Sequence, residues 1–253
     1  MKITFLGTGT SQGVPVIACE CYVCKSNDYK DNRLRSSILI EAENNTFVID
    51  TGPDFRQQML RANIKKLDAV LLTHSHKDHV AGLDDVRAYN FVLQKPIDVF
   101  CSQQVLKHIK NEFPYAFAED KYPGVPEIDL HCIENKKFEI NKTKIIPIQL
   151  MHYKLPIFGY RFGDFTYITD ANFISEDEKA KIKGTKILAI NALRKTPHIS
   201  HFTLEEALEI IAELKPEKAY LTHISHQMGL HAEEEKNLPE NVFFAYDGLE
   251  IEV

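Results

Sequence analysis

The sequence predicts an α/β fold in which sheets are covered by helices. Apolar runs of strand length and amphipathic helical patterns are mixed along the whole chain, which favours sheets with helices packed outside. The chain has 253 residues and 44% hydrophobic content, enough for a substantial core. Because no Gly/Ser-rich linker, low-complexity segment or internal repeat divides it, we predict one domain over residues 1–253.

Strands are predicted where short apolar runs lie between polar or turn-forming residues. These runs are Ile3–Leu6, Ser37–Glu41, Thr46–Ile49, Ala69–Leu72, Val99–Cys101, Ile145–Leu150, Phe158–Phe162, Phe165–Ile168, Ile187–Ile190, Ala219–Leu221 and Val242–Ala245. Helices are predicted at Phe55–Arg61, Gln103–Glu112, Glu176–Lys181 and Leu204–Leu214. The last is the clearest, because acidic residues fill its first turn and apolar residues recur at helical spacing. The segment from Asn90 to Ile128 is the least regular.

Charge and hydropathy limit the classes of partner. The formal net charge is −6, so a large nucleic-acid-binding surface is not expected. No apolar stretch has the length that a bilayer span needs. The N-terminus runs directly into a strand-like segment without the features of a signal peptide, so we expect a cytoplasmic location.

The strongest chemical signal directly follows the predicted strand Ala69–Leu72. In the segment Thr73-His74-Ser75-His76-Lys77-Asp78-His79, an extended chain would point His74 and His76 the same way. Asp78 and His79 would then occupy the first turn of a short helix that faces back toward them. Imidazole and carboxylate ligands suit zinc, manganese or iron, and this set predicts a two-metal site.

Three further candidate ligands come just after predicted strands. His152 follows one strand, Asp170 follows a second and His223 follows a third. Loops at strand ends often carry functional groups. Each of these residues alone is equally consistent with an ordinary loop residue, but their repeated position predicts that they complete the metal site.

The cysteines are unevenly distributed. Cys19, Cys21 and Cys24 are clustered, whereas Cys101 and Cys132 stand alone. An odd number with this spacing is a poor disulfide framework and favours a metal site. Three thiolates can bind one zinc ion, but a closed tetrahedral site requires a fourth ligand. Three free buried thiols are the alternative.

The chain resembles the metallo-β-lactamase-fold hydrolases over nearly its whole length. The resemblance is carried by His74-x-His76-x-Asp78-His79 with the later His152, Asp170 and His223. A more specific resemblance is to the PhnP-type cyclic phosphodiesterases of phosphonate metabolism. Its motifs are Gly7-Thr8-Gly9-Thr10-Ser11-Gln12-Gly13-Val14-Pro15, Cys19-x-Cys21-x-x-Cys24, Leu221-Thr222-His223-Ile224-Ser225-His226-Gln227 and Asp247-Gly248-Leu249-Glu250-Ile251.

This resemblance implies a metallo-β-lactamase αβ/βα sandwich, with two facing mixed sheets, helices outside and the metals at one edge between the sheets. It implies two divalent ions at the active site, manganese or zinc, and one structural zinc. The implied ligands are His74, His76 and His152 for one ion, Asp78, His79 and His223 for the other, and a bridging Asp170. For the structural zinc, the resemblance supplies His226 as the fourth ligand beside the three cysteines.

The implied reaction is hydrolysis of a small phosphate diester, such as a cyclic ribosyl phosphate, by a hydroxide that the two ions activate. Asp78 is assigned to catalysis through the metal site. His201 is the candidate general acid, because the resemblance places the family's catalytic histidine just before the helix Leu204–Leu214. Spacing alone is equally consistent with a capping or surface role for His201, and His198 is the competing candidate.

Supporting roles are predicted for residues around the motif. We expect Asp50 to accept a ring N–H from a metal-bound histidine, and the alternative is a turn-forming role before Gly52. Arg87 is predicted to form a surface salt bridge rather than to contact a substrate phosphate. A cluster of aromatic residues either walls a pocket over the metals or packs in the core. Its members are Phe113, Tyr115, Phe117 and Tyr122.

Other functions fit the sequence less well. A tRNA-processing nuclease would need a basic surface and usually a protruding Gly/Pro-rich arm, which the sequence does not show. Thioester and lactam hydrolases more often lack the cysteine cluster. A non-catalytic metal scaffold would not need open coordination positions. We therefore expect a small-molecule phosphate ester as the partner, with a homodimer compatible with the sequence. The stretch Asn191–Pro197 departs from the phosphonate-pathway enzymes, so their exact substrate does not carry over.

Overall fold

The computed structural model describes residues 1–253 as two sheets with helices on their outer faces. The strands are β1 (Lys2–Gly7), β2 (Ser37–Ala42), β3 (Asn45–Ile49), β4 (Ala69–Leu71), β5 (Ile97–Cys101), β6 (Ile128–Cys132), β7 (Phe138–Ile140), β8 (Thr143–His152), β9 (Leu155–Phe162), β10 (Phe165–Tyr167), β11 (Ile187–Asn191), β12 (Lys218–Thr222), β13 (Val242–Phe244) and β14 (Glu250–Glu252). The helices are α1 (Phe55–Arg61), α2 (Lys77–Val80), α3 (Arg87–Leu93), α4 (Gln103–Glu112), α5 (Glu176–Ile182), α6 (Leu204–Leu214) and α7 (His231–Glu234).

Both sheets have seven strands and both are mixed. The first has the order β14-β1-β2-β3-β4-β5-β6, and the second has the order β13-β12-β11-β10-β9-β8-β7. Strands β3 to β6 run parallel in the first sheet, as do β10 to β13 in the second, while the remaining pairs are antiparallel. This architecture confirms the predicted αβ/βα sandwich.

Three apolar layers hold the sandwich together. The central layer lies between the sheets, where Phe5 and Ile49 of the first sheet share a cluster with Phe162 and Tyr167 of the second. The first outer layer packs α1 and α4 onto the first sheet, and the second packs α6 onto the other. None of the helices is both long enough and apolar enough to cross a bilayer.

The start of α6 is defined by reciprocal hydrogen bonds. The Thr203 hydroxyl accepts from the backbone N–H of Glu206, and the Glu206 carboxylate accepts from the backbone N–H of Thr203. This capping box satisfies N–H groups that a helix start would otherwise leave unpaired. It also anchors the end of the loop that carries His201.

All the predicted strands and helices are present, with small shifts at their ends. The segment from Asn90 to Ile128 contains β5 and α4, as predicted, and also the end of α3, which was not predicted. The edge strands β6, β7 and β14 were missed. Such strands are short and pair on only one side, so their apolar patterns are weak.

Candidate metal centre

The predicted ligands converge at one edge of the sandwich, where four strands end. The histidine-rich segment follows β4, His152 ends β8, Asp170 follows β10 and His223 follows β12. Ligand atoms of His74, His76 and His152 all lie within 4.8 Å of one another, and so do those of Asp78, Asp170 and His223. Side chains that are far apart in sequence therefore form one cluster.

Asp170 and His79 connect the two halves of this cluster. The carboxylate of Asp170 also lies within 4.8 Å of the ring nitrogens of His74 and His79. Asp170 Oδ2 is 3.2 Å from His79 Nε2, and Asp78 Oδ2 is 3.1 Å from the same nitrogen. The central position of Asp170 fits a carboxylate shared by two ions. The predicted short helix at Asp78 and His79 is present as α2.

Hydrogen bonds determine which ring nitrogen of three histidines faces the cluster. The Thr73 hydroxyl donates to Asp50 Oδ2 at 2.8 Å, so it accepts from His74 Nδ1, which is 2.9 Å away. His79 Nδ1 donates to the same carboxylate oxygen at 2.7 Å. His152 Nδ1 donates to the carbonyl of Ser200 at 2.8 Å. In each ring Nδ1 is engaged by these hydrogen bonds, so Nε2 is the nitrogen available to bind a metal ion.

Buried ring nitrogens without partners indicate that the cluster is built for a ligand. Nε2 of His74 and Nε2 of His223 are buried and have no hydrogen-bond partner. Buried polar atoms are nearly always paired, because an unpaired one loses its hydration without compensation. His223 Nδ1 lies 3.2 Å from both Ser36 Oγ and Asp170 Oδ2. The donor set therefore fits divalent ions.

Three residues at the cluster have left-handed backbone conformations. The φ angles are 64° for Asp50, 59° for Asp170 and 56° for His223. A non-glycine residue in this region costs on the order of 1–3 kcal/mol, and such residues concentrate at functional sites. Asp50 and His223 come directly after β3 and β12, and Asp170 comes three residues after the end of β10. The sequence carries no signal for this feature.

Charge balance keeps the carboxylates ionised. Burial alone would raise the pKa of Asp170, but His223 and His79 hold that pKa well below its ordinary value. Burial would lower the pKa of His79, but Asp170, Asp78 and Asp50 raise it well above its ordinary value. A metal ion that binds here therefore has to displace a proton from this imidazole.

His201 lies beside the candidate ligands and not at the outer edge of the cluster. Its ring centroid is 4.7 Å from that of His152 and 4.8 Å from that of His223. A ring nitrogen of His201 lies within 4.8 Å of ligand atoms of His152 and Asp170, so it also qualifies as a ligand. Burial, followed by the charge of His223, lowers the pKa of His201 to about 3. His198 is further out, with its ring 5.0 Å from that of His201.

The cysteine cluster meets His226 as the resemblance implied. His226 Nδ1 is 3.3 Å from the sulfurs of Cys19 and Cys21 and 3.5 Å from that of Cys24. A tetrahedral zinc with ordinary Zn–S and Zn–N bonds would separate these atoms by about 3.5 Å. The backbone N–H of Cys24 lowers the pKa of the Cys21 thiol to about 6, which favours a thiolate. Cys101 and Cys132 lie outside this cluster.

The supporting residues divide between confirmed and wrong predictions. Asp50 accepts the ring N–H of His79, as predicted. Arg87 Nε lies 3.7 Å from Asp84 Oδ2 on the surface, in agreement with a surface salt bridge. Of the aromatic cluster, Phe113 and Phe117 pack in the core. Core packing is wrong for the other two, since Tyr115 and Tyr122 are 43% and 80% exposed.

Several contacts of the cluster were not anticipated from the sequence. Thr73, Ser36 and the Ser200 carbonyl each bond to a ring nitrogen of a candidate ligand. Only the position of Thr73 next to His74 offered a signal. The other two lie far from their partners in sequence, and serine is too common in loops to predict such a role.

Comparison with known proteins identifies the family. The family model described as a beta-lactamase superfamily domain matches residues 45–224 of this chain. A solved structure described as a new diphosphatase from the PhnP family has a TM-score of 0.92 and is 38% identical, covering 99% of this chain and 96% of that chain. The chain belongs to the beta-lactamase superfamily. Its fold is the metallo-β-lactamase fold, and it is similar to this structure from the PhnP family.

Curated relatives of this metallo-β-lactamase-fold protein have diverse names. An octanoyltransferase of Porphyromonas gingivalis is 40% identical over 253 residues, covering 99% of this chain and 51% of that protein. A ribonuclease Z of Nostoc sp. is 26% identical over 170 residues, covering 65% of this chain and 47% of that protein. The chain thus spans about half the length of the curated relatives it matches.

Proposed function

We propose that this protein is a phosphodiesterase that hydrolyses a small phosphate diester, such as a cyclic ribosyl phosphate, with two divalent metal ions. The carrying observation is that histidine ring nitrogens and the carboxylates of Asp78 and Asp170 come together in one cluster, although the residues are far apart in sequence. The similarity to a PhnP-family diphosphatase supports phosphoryl chemistry.

The ligand assignment follows the two halves of the cluster. His74, His76 and His152 would hold one ion, Asp78, His79 and His223 the other, and Asp170 would contact both. Divalent ions in such a site lower the pKa of water to about 7 and neutralise charge on a phosphoryl group. The protein orients the ligand rings. Asp50, Thr73 and the Ser200 carbonyl do this through their hydrogen bonds to the rings.

His201 is proposed to deliver the proton that the leaving alkoxide needs. Burial keeps its imidazole neutral in the free protein, since its pKa is lowered to about 3. An anionic phosphate beside the ring would favour the charged imidazolium and raise this pKa when substrate binds. His201 would then act as an acid only with substrate present.

We also propose that Cys19, Cys21, Cys24 and His226 bind one structural zinc. The four ligand atoms lie within 4.8 Å of one another. The ion would tie the N-terminal loop to the loop that carries His223, because His226 lies three residues after that ligand. The site would thereby steady one active-site histidine.

The proposed partner is a small-molecule ester. The net charge of −6 does not favour RNA, despite the ribonuclease Z relatives. The Porphyromonas gingivalis relative is named an octanoyltransferase, which suggests transfer of an acyl group as an alternative activity. This chain matches less than two thirds of that protein. RNA cleavage and acyl chemistry are therefore the competing outcomes of the test below.

Metal analysis combined with a substrate panel tests the proposal. We expect two active-site metals and one zinc per chain, and hydrolysis of bis(p-nitrophenyl) phosphate far above that of p-nitrophenyl phosphate. His74→Ala should abolish this hydrolysis, whereas His131→Ala, a surface histidine paired with Asp98, should not. A preference for a monoester, an octanoyl thioester or precursor tRNA would reject the phosphodiesterase.

A further inference from the structure

Large apolar side chains are exposed on loops that carry or adjoin the candidate metal ligands. Tyr153, Phe173 and Ile199 are 49%, 56% and 67% exposed, and we call this set the apolar rim. Single exposed apolar residues are common, but three on loops that hydrogen bonds join to one another are a candidate binding surface.

The rim comes from three loops that a single side chain joins. The Asn172 amide oxygen accepts from the backbone N–H of Tyr153 at 2.7 Å. The Asn172 amide nitrogen donates to the carbonyl of Ile199 at 3.2 Å. The backbone N–H of Met151 donates to the carbonyl of Phe173, which pairs that loop with the end of β8. The rim is therefore part of the folded framework.

The rim borders the candidate ligands on the His152 side. Tyr153 directly follows His152, and Ile199 directly precedes Ser200, whose carbonyl accepts from the His152 ring. Asn172 lies two residues after Asp170. A molecule with its phosphoryl group at the ligands would place its neighbouring substituent within reach of these side chains.

The side chains of the apolar rim indicate which chemical group next to the phosphoryl group they would bind. Tyr153 and Phe173 are aromatic. Aromatic faces stack on flat rings of any nucleobase, because each base presents a π-face. Lys154 Nζ lies 5.2 Å above the centre of the Tyr153 ring. A cation at the same turn suits a ligand that also carries phosphate charge.

We propose that the apolar rim binds the nucleobase of a nucleotide-containing ester, with the phosphoryl group directed to the metal centre. This assignment rests on the proposed phosphodiesterase function, since it names the substrate class for that site. It predicts a preference for ligands with a heteroaromatic ring over ligands with sugar phosphate alone.

Binding of matched monoesters tests the rim without turnover. Titration calorimetry on the metal-loaded protein should give a dissociation constant for adenosine 5′-monophosphate about tenfold lower than that for ribose 5-phosphate. Phe173→Ala and Ile199→Ser should each reduce this ratio to about two. The control is Phe91→Ala, a phenylalanine of α3 that is 63% exposed, and it should keep the wild-type ratio.

The outcomes separate the rim from the catalytic proposal. Equal binding of the two monoesters by the wild-type protein would overturn the nucleobase subsite, even if diesters are hydrolysed. Octyl phosphate binding as tightly as adenosine 5′-monophosphate would also overturn it, since a general apolar surface would suffice. A retained base preference together with absent diesterase activity would reject the proposed function and keep the subsite.

Discussion

Asp50 Oδ2 and His79 Nδ1 lie 2.7 Å apart, and both side chains are fully buried. The same carboxylate accepts from the backbone N–H and the hydroxyl of Thr73, whose hydroxyl in turn orients His74. One aspartate therefore positions two candidate metal ligands. Such partners of metal-bound histidines contribute to affinity although they do not touch the ion.

Replacing Asp50 tests this positioning role. Asp50→Asn keeps the size of the side chain but loses one acceptor oxygen, so we expect affinity for active-site metal to fall by about 10- to 100-fold. Chelator competition measures the change. The control is Asp68→Asn, a buried carboxylate that accepts from the backbone N–H of Thr46. Equal metal affinity for the Asp50 variant and the control would contradict the role.

Replacing Cys21 tests the structural zinc. Cys21→Ser should lose the zinc and lower the melting temperature before it affects turnover of the remaining folded protein, because the ion links two loops. Zinc content by elemental analysis and thermal unfolding measure the two effects. Cys132→Ser, at an exposed cysteine outside the cluster, is the matched control. Unchanged zinc in the Cys21 variant would refute the thiolate site.

Replacing His201 separates two roles that the structure allows. If His201 is the general acid, His201→Ala should reduce kcat about 100-fold or more while the metal content stays unchanged. Loss of metal in proportion to activity would show instead that it is a ligand beside His152 and Asp170. His198→Ala provides the comparison, because its ring lies further from the cluster.

The stability of the protein should depend on pH through His231. Arg33 Nη2 donates to His231 Nδ1 at 3.1 Å, which requires a neutral acceptor nitrogen. Burial lowers the pKa of His231, and Arg33 lowers it further. In the unfolded chain the His231 imidazole has a pKa of about 6.5. As pH falls through that value, the unfolded chain therefore binds more protons than the folded protein, and the stability present at higher pH is lost.

Comparison of variants isolates this contribution from the other buried histidines. His231→Gln keeps an acceptor for Arg33 but does not titrate, so its melting temperature should fall less between about pH 7.5 and pH 5 than that of the wild type. His131→Gln, at a surface position, should follow the wild-type curve. Parallel curves for the wild type and the His231 variant would contradict the prediction.

Local patterns predicted most of the fold and the ligands. The strands that pack on both faces, such as β4 and β11, appear as continuous apolar runs because each side chain along them is buried. The edge strands β6, β7 and β14 and the helix α3 were missed, since many of their residues are partly exposed and their periodicity is weak. For Tyr115 and Tyr122 the sequence left core packing open, and their exposure excludes it; aromatic content alone does not report burial.

The sequence by itself determined the class of chemistry, because the ligand types and their spacing around His74, His79 and Cys21 depend on local chain geometry. Only the tertiary structure decided which ring nitrogens are free, that Asp50 serves two histidines, and that Asn172 joins the loops of the apolar rim. These features are hydrogen bonds between segments distant in sequence, and they exist only once the two sheets have packed and brought the strand ends to one edge.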